Sequence, residues 1–276
     1  MSRHTIATTT GQRMPVYFIP HGAGPCFFMD WNPADTWLNM AHFLKNLAAD
    51  LPRRPSAILL VSGHWLEPQF SLTGHARPPL IFDYSGFPSH TYELTYPAPG
   101  NPALAERAVQ LLRQEGLASH VDGQRGFDHG VFIPLKLVFP SADIPVVQMS
   151  LRHDMDPAAH LEAGKALESL RDQDVLIVGS GMSFHNMRGY GDPRYTPISV
   201  EFDDWLSAAV ESPFGQREAL LRSWTQAPHA RHCHPPGGEE HLIPLLVATG
   251  AAGVSPGSKV YSERVMETAL SAYRFG

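Results

Sequence analysis

Cysteines and long apolar runs are scarce or missing in this chain of 276 residues. The two cysteines, Cys26 and Cys233, are too few for a disulfide framework. No window approaches about 18 consecutive apolar residues, so the sequence predicts no membrane-spanning helix. The polar, Thr-rich residues 1–14 contain no apolar segment of the kind found in secretory signals. We therefore expect a cytoplasmic protein whose residues 1–14 form a flexible tail.

Clusters of positive charge are missing as well. Charged residues make up 17% of the chain, the formal net charge is −6, and no run of Lys or Arg occurs. Proteins that bind nucleic acids normally carry a basic excess or a basic stripe. We therefore expect neither a nucleic acid nor a membrane as a partner, and the sequence leaves the oligomeric state open.

Short apolar segments alternate with segments of helical periodicity from residue 15 onwards. This alternation is typical of an α/β fold with a mainly parallel or mixed sheet covered by helices on both faces. No internal repeat or strong linker interrupts it, so residues 15–276 are expected to form a single domain. The predicted strands are 16–19, 57–61, 70–72, 146–149 and 175–178, and the predicted helices are 35–51, 101–114, 157–170, 200–210, 216–224 and 239–248.

Histidine is abundant, with 15 in the chain, and several of these residues follow predicted strands. His21, His64 and His185 each come shortly after the end of such a strand. Ligands of open α/β sheets bind beyond the carboxyl ends of the strands. We therefore expect these three histidines to gather at one edge of the sheet. Other histidines, such as His160, show no such placement and are expected to be structural or solvated.

A second concentration of metal-binding residue types lies near the C-terminus. Residues 232–241 contain three His, two Glu and one Cys. Imidazole and carboxylate groups suit Fe, Zn and similar metals, although the spacing fits no compact zinc motif such as H-E-x-x-H. Asp128 directly precedes His129, and a neighbouring carboxylate can fix an imidazole tautomer. Adjacency in sequence does not decide whether the two side chains meet.

Six short motifs occur in an order that resembles the class III extradiol dioxygenases, specifically the branch similar to 4,5-DOPA extradiol dioxygenase. The resemblance runs from about residue 15 to the C-terminus and implies a single catalytic α/β domain. The motifs are PHGAGP at 20–25, SGHW at 62–65, FDYSGFP at 82–88, DHG at 128–130, GSG with FHN at 179–181 and 184–186, and EHLIPL at 240–245.

The resemblance implies a mononuclear metal site and roles for five histidines. His21, His64 and His241 match the metal-ligand positions of the family. His185 matches its catalytic acid/base histidine, and His129 matches a further active-site histidine. The implied metal is Fe(II) for activity, with Zn(II) in some members as isolated. The implied substrates are a small catecholic aromatic compound and O2.

Three further residues, His234, Tyr84 and Trp65, are expected to line the substrate pocket. Tyr84 belongs to an aromatic-rich loop over residues 80–97, where ring faces would suit a planar substrate. His234 lies close in sequence to His241, and Trp65 belongs to the SGHW motif.

Two alternative functions stay open at this point. Protocatechuate-cleaving relatives of this family carry a Glu where His241 stands, so the ligand set here would be three neutral imidazoles. Three His ligands are also typical of catalytic zinc, which activates water for hydrolysis. A zinc hydrolase is therefore one alternative. The other is a non-catalytic binding protein, because Memo-like proteins look similar in fold and reuse the cavity for binding.

Overall fold

A computed structural model of the protein describes residues 12–276. The strands it assigns over these residues are β1 Val16–Pro20, β2 Ala57–Glu67, β3 Phe70–Thr73, β4 Ser119–Asp122, β5 Val146–Arg152, β6 Val175–Gly181, β7 Gly257–Val265 and β8 Thr268–Phe275. The α-helices are α1 Leu38–Asn46, α2 Pro102–Gln114, α3 His129–Val138, α4 Pro157–Leu167, α5 Tyr195–Glu211, α6 Phe214–Arg222, α7 Ala230–Cys233 and α8 Ile243–Ala252.

The eight strands form one sheet in the order β4-β3-β5-β2-β6-β1-β8-β7. Its centre, β5-β2-β6-β1, is parallel, whereas β3 and β8 join that centre in antiparallel pairs. Every residue of β1 and β6 is buried. Because successive side chains of a strand point to opposite faces, this burial means that both faces are covered. The predicted single-domain α/β fold with a mainly parallel, mixed sheet is confirmed.

Strand β2 is longer than the sequence predicted, and the extension contains His64. Its pairing with β6 ends at Ser62, and its pairing with β5 shifts register between Val61 and Leu66. His64 therefore lies in an irregular part of the strand rather than in a loop behind it. Irregularities of this kind bend a strand and redirect side chains beside functional sites. Strand β6 is likewise longer and includes the whole Gly179–Gly181 segment.

The six predicted helices are all present, although their observed starts and ends differ from the prediction by up to five residues. Asn101 accepts a hydrogen bond from the backbone N–H of Leu104 at the start of α2, and Asp156 likewise caps α4. Helix α8 begins after the predicted start and does not stop at Gly250. Gly250 lies inside the helix instead. A side chain at this position would clash with the Leu161 carbonyl of α4, so close helix packing explains the glycine. No helix within residues 12–276 is long and apolar enough to cross a membrane.

Several elements escaped the sequence prediction. Helix α3 is almost entirely buried, so it lacks the apolar and polar faces that reveal a helix in sequence. Strand β4 is only four residues long. The antiparallel hairpin β7–β8 was missed as well, although the exposure of β7 alternates as expected for an edge strand.

The predicted tail lies mostly outside the described residues, which begin at Gln12. At its inner end the chain is held against the domain. The Arg13 guanidinium pairs with Glu168 at 2.7 Å and with Asp172 at 2.6 Å, and Met14 is fully buried.

His160 on α4 is a buried structural histidine. Its Nδ1 donates to the Asp156 carbonyl at 2.7 Å, and its Nε2 accepts from the Arg152 backbone N–H at 3.1 Å. These backbone partners assign the Nδ1-protonated neutral tautomer. Burial lowers the pKa of His160 to about 4, because a buried imidazolium would lose its hydration.

We predict that His160 makes the stability of the protein depend on pH. Its folded-state pKa lies below the unfolded value, so its contribution is complete above pH ~6.5 and is lost as the pH falls toward about 4. The difference in unfolding free energy between wild type and His160→Gln should narrow by up to about 3 kcal/mol over that range. Denaturant titrations at several pH values measure this difference, and a constant difference would contradict the prediction.

Candidate metal centre

Five histidines from distant parts of the chain line one cavity of about 400 Å³. They are His21, His64, His129, His185 and His241. The ring centroids of His21, His64 and His241 lie 4.7 to 5.1 Å apart. The His129 ring lies 3.9 Å from that of His64, and the His185 ring stacks on His241 at 3.4 Å. The structure therefore brings together all five histidines for which the family resemblance implied metal or catalytic roles.

The carboxyl edge of the parallel strands builds this cluster through backbone contacts. The His21 N–H, just beyond β1, donates to the Gly181 carbonyl at the end of β6 at 3.2 Å. The next residue, Met182, donates its N–H to the His241 carbonyl at 2.9 Å. A Cβ at Gly181 would lie 2.0 Å from that carbonyl oxygen, so glycine is required for the approach. This close approach is the structural role of the GSG motif.

Four of the five imidazoles have an acceptor beside their Nδ1 atom. The pairs are His21 with the Gly22 carbonyl at 2.9 Å, His241 with Glu240 at 2.9 Å, His129 with Asp83 at 2.8 Å, and His64 with Asp83 at 3.4 Å. An acceptor at Nδ1 assigns the proton to that nitrogen and leaves Nε2 unprotonated, with a lone pair that can bind a metal. In metal sites, contacts of this kind orient the ligating imidazoles.

The Nε2 atoms are arranged as metal ligands would be. Nε2 of His64 and Nε2 of His241 lie 3.1 Å apart, which would set two lone pairs against each other. The buried Nε2 of His21 has no hydrogen-bond partner. Two imidazoles about 2.0–2.1 Å from one ion, at angles of about 90–110°, are separated by about 2.9–3.4 Å. These residues therefore fit a divalent metal ion.

Two adjacent groups of side chains, with no residue in common, are candidates for holding the metal. Ring nitrogens of His21, His64 and His129 lie within 4.8 Å of one another, and so do donor atoms of His185, Glu240 and His241. The contact between His64 and His241 joins the two groups. Distances alone therefore leave His129 and His241 as competing candidates for the third ligand.

The electrostatics of the cluster favour neutral imidazoles. Burial, followed by repulsion from neighbouring histidines, lowers the pKa of His64 to about 3 and that of His185 to about 4. The same two causes hold the pKa values of His21 and His241 well below their usual range. Neutral imidazole is the form that binds metal, and the lowered pKa values keep these rings neutral at pH 7.

Of the three predicted pocket residues, the structure brings only Tyr84 to the cavity, where its ring lies 5.6 Å from that of His129. His234 is fully buried elsewhere, where its Nε2 lies 2.9 Å from the Ser183 carbonyl oxygen and its ring packs against Phe202 and Trp224. The prediction for His234 is corrected because nearness in sequence to His241 does not bring it into the same cavity.

Trp65 does not line the cavity either, and strand geometry explains why. Neighbouring residues of an extended strand point to opposite faces, so a side chain next to His64 faces away from it. The Trp65 indole N–H donates to Glu67 at 2.9 Å, and the Arg125 guanidinium lies 4.9 Å above the ring.

Two carboxylates at the site were missed as functional residues, although both lie in the quoted motifs. Asp83 contacts His64 and His129 through its two oxygens, and one of these also accepts the His129 backbone N–H at 3.0 Å. Glu240 accepts from His241 and lies 3.6 Å from Nδ1 of His185. Asp128, which was considered as a partner for His129, instead accepts from Ser62 at 2.8 Å and from Gln148.

A family profile described as the catalytic LigB subunit of aromatic ring-opening dioxygenase matches residues 15–275. The chain belongs to this family. Dioxygenase tasH of Hapsidospora irregularis is 38% identical, over 98% of this chain and 88% of that protein. The 4,5-DOPA dioxygenase extradiol of Beta vulgaris is 37% identical, over 86% of each chain. The chain is therefore an extradiol ring-opening dioxygenase of a metal-dependent family, as the six motifs predicted.

A solved structure supports the same fold assignment. The crystal structure of an uncharacterized protein from Escherichia coli K12 matches with a TM-score of 0.77 and 29% sequence identity. The match covers 96% of this LigB-family chain and all of the other chain.

We predict that Asp83 controls metal affinity without touching the metal. Asp83→Asn keeps the shape of the side chain but removes the charge that orients His64 and His129. Loss of such a contact typically lowers metal affinity about 10–100-fold. Titration of the metal-free protein with Fe(II) or Zn(II) measures the change. Asp143→Asn, which alters a surface pair with Arg54, serves as the control, and equal affinities in the two variants would refute this role.

Proposed function

We propose that this dioxygenase opens the ring of a small catecholic substrate with O2 at a mononuclear non-haem metal held by His21, His64 and His241. The observation that carries this proposal is the arrangement of their Nε2 atoms. One of these atoms is buried without a partner, and the other two face each other at 3.1 Å. A shared cation is the simplest way to satisfy all three.

The proposed metal is Fe(II). Zinc also accepts three His ligands, but it has no redox chemistry, whereas incorporation of O2 requires electron transfer. Bound at this site, Fe(II) would supply Lewis acidity toward the catechol oxygens and electron density for O2. The net reaction balances without a further reductant, because one catechol and one O2 give one ring-opened semialdehyde that contains both oxygen atoms.

The proposed acid/base residue is His185. Its side chain is 21% exposed, and it lines the cavity beside His241. Its lowered pKa leaves the ring neutral at pH 7, so it can accept a catechol proton and return it during ring opening. Glu240, 3.6 Å from Nδ1, would stabilise the protonated ring in between. His129 is proposed as a second proton-handling residue, with its Nδ1 held by Asp83 at 2.8 Å.

The cavity also suits a planar aromatic ring. Tyr84 and Phe87 line it, and their rings are perpendicular at 5.6 Å. The name of the Beta vulgaris relative makes DOPA one catechol to test here. The proposed location is the cytoplasm.

We predict that the ligand histidines and the proton-transfer histidines respond differently to substitution. His21→Ala, His64→Ala and His241→Ala should each lose bound metal, because three-coordinate binding would be reduced to two ligands. His129→Ala and His185→Ala should keep it. Metal analysis after reconstitution measures this, with His42→Ala on the exposed side of α1 as the control. Metal loss from His129→Ala with retention in His241→Ala would exchange the roles of these two residues.

We also predict that His185 is needed for turnover. The Fe(II)-loaded protein should consume O2 with a catechol and form a yellow semialdehyde. His185→Ala should retain metal and lose about 10²–10⁴-fold in kcat, the usual contribution of general acid–base catalysis. An oxygen electrode and absorbance spectra record both. Failure of the Fe(II)-loaded wild type to consume O2 with every catechol tested would favour the zinc-hydrolase or binding-protein alternatives.

A further inference from the structure

We infer that the substrate is a catechol whose ring substituent is uncharged and apolar, an inference that rests on the proposed function. The residues that line the described cavity include no Lys, Arg, Asp or Glu. Apart from the five histidines, the cavity wall is mostly aromatic rings and methionine side chains. The members that matter for the substituent are Trp31, Tyr84, Phe87, Met187, Tyr190 and Met266.

The tyrosine hydroxyls of this wall are already engaged. The Tyr84 hydroxyl donates to the Thr91 carbonyl at 2.7 Å, and the Tyr190 hydroxyl donates to the Phe184 carbonyl at 2.9 Å. Both tyrosines therefore offer ring surface to a ligand rather than a free O–H donor. A carboxylate on the substituent would meet no cationic side chain here, only neutral donors such as the Ser85 hydroxyl and the Trp37 indole N–H, so the loss of its hydration opposes binding.

The surface just outside the cavity also disfavours a carboxylate. Trp31 and Met266 line both the cavity and a neighbouring open groove, so they mark the boundary between the two. The charged side chains that line that groove are the carboxylates Asp35, Glu263 and Glu267 and the guanidinium Arg264. Three acidic groups against one basic group give a negative approach, which lowers the local concentration of anionic ligands.

Met266 is held at this boundary by a tight hairpin turn. The strands β7 and β8 are joined by a two-residue turn, because Val265 pairs with Thr268. Met266 and Glu267 have φ values of 47° and 66°. These values lie in the left-handed region, which residues other than glycine rarely adopt but which two-residue hairpin turns require. The Met266 carbonyl accepts from the Gly191 N–H at 2.7 Å, which fixes the turn over the cavity.

The first test compares catechols that differ in the charge of their substituent. The panel for the Fe(II)-loaded enzyme is unsubstituted catechol, neutral 4-propylcatechol, anionic caffeate, zwitterionic DOPA and cationic dopamine, with kcat/KM from O2 uptake. We expect 4-propylcatechol to exceed each charged substrate at least about tenfold, since burial of an unpaired charge opposes binding. A charged substrate that equals or exceeds it would overturn the inference. No O2 uptake with any catechol would overturn the proposed function itself.

A second test adds the missing cation. Met187 is 71% exposed at the cavity, so Met187→Arg should fold normally while placing a guanidinium beside the substituent. The ratio of kcat/KM for caffeate to that for 4-propylcatechol should rise about fivefold, the effect expected of one partly exposed charge pair. Val254→Arg, at a position 79% exposed and outside the cavity wall, should leave the ratio unchanged. An unchanged ratio in Met187→Arg would contradict the inference.

A third test removes the apolar contact at the boundary. Met266→Gly should raise KM for 4-propylcatechol about fivefold through loss of apolar contact, with KM for unsubstituted catechol unchanged. Met155→Gly is a matched control, because Met155 has nearly the same φ of 49° but lies outside the cavity wall. This control should change neither KM. Equal effects on the two catechols in Met266→Gly would show that Met266 does not contact the substituent.

Discussion

The site depends on a backbone contact at which a side chain is sterically excluded. The His241 carbonyl oxygen lies 2.0 Å from where a Cβ on Gly181 would be. At the end of β6, the Gly181 carbonyl accepts a hydrogen bond from the His21 N–H, and the Met182 N–H donates to the His241 carbonyl. Two of the proposed ligands are thus fixed to one buried parallel strand. Rigid strands hold ligands more accurately than free loops do, which suits the proposed site, where metal, catechol and O2 would bind together.

Two carboxylates organise the imidazoles in a parallel way. Asp83 contacts His64 and His129, and Glu240 contacts His241 and His185. Each carboxylate therefore connects one proposed metal ligand with one proposed proton-transfer residue. A shift of either carboxylate would move a proposed ligand and a proposed acid/base group together, so metal binding and proton transfer at this site would be structurally coupled. Together the two carboxylates also bring negative charge close to the proposed cation.

The sequence predicted the central strands and the gathering of histidines well, and the reason is physical. Buried parallel strands are continuous apolar runs, and side chains that follow their carboxyl ends meet at one edge. What failed depends on information that is not local. Asp83 and His129 are far apart in sequence, so their contact follows only from the fold. Helix α3 was missed because it is buried all round, and His234 and Trp65 were misplaced because proximity along the chain does not give side-chain direction.

The hairpin β7–β8 borders the cavity but carries none of the five histidines of the site. It pairs with the rest of the sheet only through β8 against β1, at the edge opposite β4, and its turn brings Met266 to the cavity. The histidines, in contrast, are attached to the parallel centre and to the segments that follow it. Lengthening or shortening this turn would therefore reshape the boundary of the cavity while leaving the five histidines in place. This separation of the turn from the histidines would allow substrate specificity to diverge among related enzymes while the ring-opening reaction stays the same.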